Sequence, residues 1–187
     1  MPNGVGASLP RSLWAVPIVL LSAAGVLRAL DEIPLLLTGG SREFVRHASL
    51  EQAEAGLRVM LLLPAFFPDD LLWPPAGIAS AGRPVVVCMS FRSRADGSER
   101  MRLCQTAATR AEWPAELLPP PSRVLMQETV ALPLAPETAR LLTLRMGDAG
   151  VWSQLEWEHA ERRLLLRFRG SRERALRLAA SLRRVRS

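Results

Sequence analysis

Two segments of the chain alternate apolar and polar residues with the two-residue period of a half-buried strand. In the first, Val85, Val87, Met89 and Phe91 share one face while Val86, Cys88 and Ser90 take the other. In the second, from about Arg100 to Thr106, Met101 and Leu103 form the apolar face. Facing Phe91 with Met101 and Met89 with Leu103 leaves Ala95-Asp96-Gly97 as the loop, with glycine at its left-handed position. The same register sets Cys88 opposite Cys104, and directly opposed antiparallel positions lie within the span of a disulfide. In an oxidising compartment the pair is expected to be bridged, and elsewhere to be two buried thiols.

Further strands are predicted at Arg58 to Leu63, Val124 to Ala131 and Leu141 to Met146. A second hairpin follows, in which Val151, Leu155 and Trp157 face Leu164, Leu166 and Phe168. A tight turn at His159-Ala160 would pair Leu155 with Leu164, Val151 with Phe168 and Glu156 with Arg163. Ser49-Leu50-Glu51-Gln52 is a capping box, opening a short helix near residues 50–55 that Gly56 should end. Ser171 caps a last helix near residues 171–184, with Ala175, Leu178, Ala179 and Leu182 as its buried stripe. Pro64 to Pro75 and residues 107–123 are too rich in proline for regular structure. The expected fold is α+β: an antiparallel sheet of about five strands packed against two helices, preceded by an apolar N-terminal export or anchor helix.

That N-terminal element is the uncharged run Leu13 to Leu27, bounded by Arg11 and Arg28. It is shorter than the roughly 20 apolar residues of a spanning helix and has the length of a signal-peptide core, with Ser22-Ala23-Ala24 as small residues for cleavage. Residues 1–30 therefore read as a signal peptide or membrane anchor, 31–43 as a linker, and 44–187 as the folded domain. The localisation that follows is exported or membrane-anchored, on the periplasmic side.

Charge changes the picture at one end only. The 187 residues carry a net charge of +6, and all 24 basic residues are arginine. From Glu161 to Ser187 ten arginines stand against two glutamates, so the rest of the chain is slightly acidic. Arg163, Arg167, Arg169, Arg174, Arg177 and Arg184 are the candidate anion-binding residues, suited to anionic lipid or nucleic-acid phosphates. No base-reading motif accompanies them, so sequence-specific nucleic-acid recognition is not expected.

Several short motifs carry a family resemblance: Ser49-Leu50-Glu51-Gln52-Ala53-Glu54, Leu63-Pro64-Ala65-Phe66-Phe67-Pro68-Asp69, Cys104-Gln105, Leu155-Glu156-Trp157 and Arg177-Leu178-Ala179-Ala180-Ser181-Leu182. Over residues 44–184 the chain resembles a bacterial extracytoplasmic domain of uncharacterised function. That domain occurs C-terminally in anti-sigma-factor-like and lipoprotein-carrier-like membrane-attached proteins. The resemblance implies a small α+β domain outside the cytoplasmic membrane and brings no catalytic residues. The zinc-binding anti-sigma module that some such proteins carry upstream has no counterpart in this sequence, so a sigma-regulatory role is not implied.

Residues able to do chemistry are few. His47 and His159 are 112 positions apart and the cysteines have no metal-ligand spacing to them, so neither a metal nor another cofactor is expected. Glu156 and Glu158 share a strand face, but Arg163 accounts for Glu156 without acid–base work. Phe66, Phe67, Trp73, Trp152 and Trp157 serve core packing first, and otherwise form a candidate apolar groove. The function expected is a non-enzymatic extracytoplasmic interaction or accessory module at the membrane surface, binding a protein partner or an apolar ligand. The competing reading is an arginine-rich module binding anionic lipid or nucleic-acid phosphates.

Overall fold

The structure is a computed structural model that describes residues 44–108, 111–133, 137–159 and 161–184. The apolar run at residues 13–27 and the linker lie outside these. Among the described residues no helix is long and apolar enough to cross a membrane.

The elements are β1 (Val45–His47), α1 (Leu50–Leu57), β2 (Leu62–Pro64), β3 (Gly77–Ala81), β4 (Val86–Arg92), β5 (Glu99–Thr106), β6 (Arg123–Ala131), β7 (Thr138–Arg145), β8 (Val151–His159), β9 (Arg162–Phe168), α2 (Arg172–Ala180) and β10 (Leu182–Arg184). Eight strands make one antiparallel sheet in the order β1-β3-β4-β5-β9-β8-β7-β6, and β2 pairs with β10 in a small second sheet. The α+β expectation with about five strands is therefore corrected: among the described residues sheet dominates, and two short helices accompany it. The excess strands come from segments whose residues announce little by themselves. β1 is three residues long and β3 reads Gly-Ile-Ala-Ser-Ala, and both become strands because β4 offers a ladder for β3 and β3 one for β1.

The β4–β5 hairpin has the expected register, with Phe91 opposite Met101, Met89 opposite Leu103 and Cys88 opposite Cys104. Gly97 closes the loop at φ 68°. The β8–β9 hairpin is shifted by two residues from expectation: Leu155 faces Leu166, Trp157 faces Leu164, and Ser153 rather than Val151 faces Phe168. The turn is centred one residue later, with Glu161 in the left-handed region at φ 60°. A two-residue slip leaves every side chain on its intended face, so the apolar pattern could not decide between the two registers. Glu156 still reaches Arg163 across the diagonal at 3.2 Å.

Both helix caps form. The Ser49 hydroxyl accepts from the Gln52 amide at 3.2 Å, and the Gln52 side chain accepts from the Ala48 amide at 2.5 Å. α1 continues past Gly56 and ends on Arg58 in the left-handed conformation. Ser171 accepts from the Arg174 amide at 3.3 Å. α2 stops at Ala180, short of the predicted end, because Leu182 to Arg184 leave the helix to pair with Leu62 to Pro64. The predicted strand from Arg58 shrinks to Leu62–Pro64 for the same reason: pairing exists only where β10 reaches it. A buried glutamine ties this small sheet to the large one. The Gln105 side chain accepts from the Leu62 amide at 2.9 Å and donates to the Leu62 carbonyl at 3.2 Å, as a neighbouring strand would.

The large sheet thus has two covered faces. On one, Met89, Phe91, Met101, Leu103, Leu155, Trp157, Leu164, Leu166 and Phe168 meet α1, α2 and the small sheet in the main core. The other is crossed by the connection from β5 to β6, of which residues 107–108 and 111–122 are described and which must pass from the middle of the sheet to its far edge. Ala111, Leu117 and Leu118 anchor this strap against Cys88, Cys104 and Leu165.

Gly170 is required where β9 turns into α2. A Cβ there would lie 2.3 Å from Cε1 of the fully buried Phe168 ring. Gly170→Ala is expected to destabilise the domain by about 1–3 kcal/mol, the usual cost of overpacking a rigid site, read from the urea midpoint.

Candidate functional site

The sheet face beneath the strap is where the arginines of the sequence acquire roles. One row across the strands runs Arg102 (β5), Arg167 (β9), Gln154 (β8) and Leu142 (β7). Arg167 is only 5% exposed. Its Nε donates to the Gln154 side-chain oxygen at 2.5 Å and its Nη1 to the Pro119 carbonyl at 2.5 Å. Gln154 in turn donates to Glu156 at 2.6 Å. Arg102 donates to the Leu117 carbonyl and to Glu99, each at 2.5 Å. Arg163 donates to the Ala111 carbonyl at 2.7 Å, pairs with Glu156, and lies 5.0 Å from the centre of the Trp113 ring. Three guanidinium groups therefore fasten the strap by these backbone carbonyls, which a segment interrupted by four prolines and without regular structure does not pair internally. Burial, with Arg102 close by, lowers the Arg167 pKa to about 10, so the group stays charged at neutral pH.

At the end of the sheet where the strap turns away, a cleft of about 280 Å³ remains. Arg102, Arg167 and Arg169 line it together with Glu99, Pro119, Met146 and Trp152. The β8–β9 register, extended by one residue pair, puts Arg169 beside Trp152. The indole is pinned by its Nε1, which donates to the Ala149 carbonyl at 3.2 Å. Among the described residues Arg169 has no ion pair.

The residues singled out in the sequence sort as follows. Cys88 and Cys104 are joined in a disulfide, with Cα atoms 4.1 Å apart. The five aromatics do not form one groove: Trp157 is in the helix-side core, whereas Trp152 is on the opposite face with Leu142 and Leu144. They are five positions apart on one strand, and odd spacing sends side chains to opposite faces. Phe67 and Trp73 do meet, at 5.5 Å, beside Phe91. Phe66 instead stacks under Arg177 at 5.5 Å.

The candidate anion-binding arginines are likewise divided. Arg163 and Arg167 point inward to the strap, Arg174 pairs with Asp70 at 3.2 Å and Arg177 with Glu173 at 3.2 Å. Arg184 pairs through its backbone with Leu62, and its side chain lies outside the described part. Of those whose side chains are described, Arg167 and Arg169 reach the cleft. Arg102 and Glu99 carried no signal in the sequence, because their place beside Trp152 depends on β5 pairing with β9, and Met146 is brought there by the β7–β8 turn, where its amide donates to the Gly150 carbonyl at 3.0 Å.

The histidines have ordinary partners, His47 with Ser80 at 2.9 Å and His159 with Glu137 at 2.6 Å. The His159 contact holds the Glu137 carboxyl below the usual glutamate range. Among the described residues no group of three or more metal-ligating side chains is found.

Comparison with known proteins returns no match among family models, curated proteins or solved structures. The site must be read from its own geometry.

Proposed function

We propose that this chain is a non-enzymatic interaction or accessory module on the extracytoplasmic side of the membrane, attached or exported through its N-terminal segment. The observation that carries the reading is the Cys88–Cys104 disulfide, buried between β4 and β5 under the strap. Cytoplasmic thiol pools keep such pairs reduced, and an oxidising compartment closes them. The signal-like run Leu13 to Leu27 supports the same compartment. Binding is favoured over catalysis by how the titratable groups are spent. Both histidines, Glu137 and Glu156 are engaged in contacts that hold loops and strands in place.

The test is alkylation of free thiols in the native envelope followed by non-reducing peptide mapping. The expected result is one peptide pair joined through Cys88 and Cys104. Two alkylatable thiols in the envelope-derived protein, or a mature chain found only in the soluble cytoplasm, would overturn the proposal.

A further inference from the structure

The cleft at the end of the strap has the properties of a built anion site with an apolar wall. Three guanidinium groups, Arg102, Arg167 and Arg169, converge on a space that holds one carboxylate, Glu99, already given to Arg102. Arg167 is nine-tenths buried and fixed in place by Gln154 and Pro119, so its position is set without any ligand. Arg169 is half-buried at the rim, and among the described residues no acid neutralises it. Arg167 is the charge removed from water, and at hydrogen-bond distance its guanidinium meets, among the described residues, only the neutral Gln154 and Pro119 oxygens, so an anion entering the cleft supplies the ionic partner such a charge normally has. Apart from Ser98, the remaining wall is apolar: the Trp152 indole and the Met146 side chain, with Pro119 and Ala149 beside them.

We infer that this cleft binds a small organic carboxylate whose apolar body rests on Trp152 and Met146 and whose charged end meets Arg169 and Arg167. The volume, about 280 Å³, falls just below the roughly 300–1,000 Å³ of drug-sized ligand sites, which suits a single ring or a short aliphatic chain. The guanidinium forks match a carboxylate in two-point geometry, and water displaced from the indole adds the apolar contribution. Inorganic phosphate satisfies the charge and leaves that wall wet. A neutral alcohol of the same body covers the wall and leaves the arginines unpaired. The inference rests on the binding-module reading and gives it a ligand class, but it is independent of the compartment.

Benzoate and hexanoate, titrated by calorimetry into the full chain with its disulfide intact, are the probes. Saturable one-to-one binding of at least one is expected, with benzyl alcohol, hexanol and inorganic phosphate each at least tenfold weaker. R169Q is the informative variant, since Arg169 holds the fold through its backbone amide, which bonds to the Arg100 carbonyl at 2.8 Å, and its side chain makes no hydrogen bond or ion pair among the described residues. It should keep the parent melting temperature and bind the carboxylate at least about tenfold more weakly, as loss of a charge-assisted hydrogen bond implies. W152L should weaken benzoate more than phosphate. Failure of both carboxylates to bind, or unchanged affinity in R169Q, overturns the inference. Equal binding of the alcohols removes the carboxylate and leaves an apolar-ligand module standing. Thiol mapping decides the compartment separately, so failure of one proposal is not mistaken for failure of the other.

Discussion

Phe168→Ala is expected to cost about 4 kcal/mol, the largest effect of any single truncation proposed for this domain. Phe168 is fully buried, faces Met101 on β5 and Ser153 on β8, and closes the main core where β9 leads into α2. Its removal leaves a cavity that two neighbouring strands, held in a continuous ladder, cannot collapse to fill. For a domain of this size the melting temperature should fall by about 8–16 °C. Gly170 supplies an internal check. Its cost as alanine arises from the Phe168 ring, so in the F168A background the Gly170→Ala substitution should become nearly neutral. Costs that simply add would refute the steric account.

Arg167→Ala is expected to cost about 3 kcal/mol and to loosen the strap selectively. The change leaves the buried Gln154 oxygen without its donor, frees the Pro119 carbonyl and empties the space of a long buried stem. Hydrogen exchange should locate the effect. The amides of Leu117 and Leu118, which donate to the Pro114 carbonyl at 3.0 and 2.8 Å, should lose protection while β4 and β5 keep theirs. Pairing the substitution with Gln154→Leu removes donor and acceptor together and should recover much of the loss. A strap with parent-like protection in R167A would show that Leu117, Leu118 and Ala111 hold it by apolar contact alone.

These two residues differ in how far the chain alone reveals them. Phe168 belongs to an alternating run, Leu164, Leu166, Phe168, whose inward face is legible because period-two patterning is a local property. The β4–β5 hairpin and its cysteine pairing are legible for a related reason. Loop length, a glycine at the left-handed position and two apolar matches all select one register. In the β8–β9 hairpin no such glycine marks the turn, and registers two residues apart satisfy the same faces, so only the folded sheet distinguishes them. Arg167 also lies on a strand whose polar face is readable, yet an alternating arginine looks solvated until something covers it. What covers it is a segment whose prolines exclude regular structure and say nothing about where it runs.

Local pattern is enough to set the faces of the hairpin strands, the two helix caps, the first hairpin and the opposition of Cys88 and Cys104, because each depends on neighbours within a turn or a hairpin. The tertiary structure alone decided the eight-strand order, the short strands β1 and β3, the truncation of α2 by β10, and the inward turn of Arg163 and Arg167. Each of these depends on which distant segment supplies the missing hydrogen-bond partner. The cleft beside Trp152 belongs to this second class. β5 and β9 are neighbours only because the chain crosses the sheet between them, and that crossing both buries the arginines and stops short of Arg169.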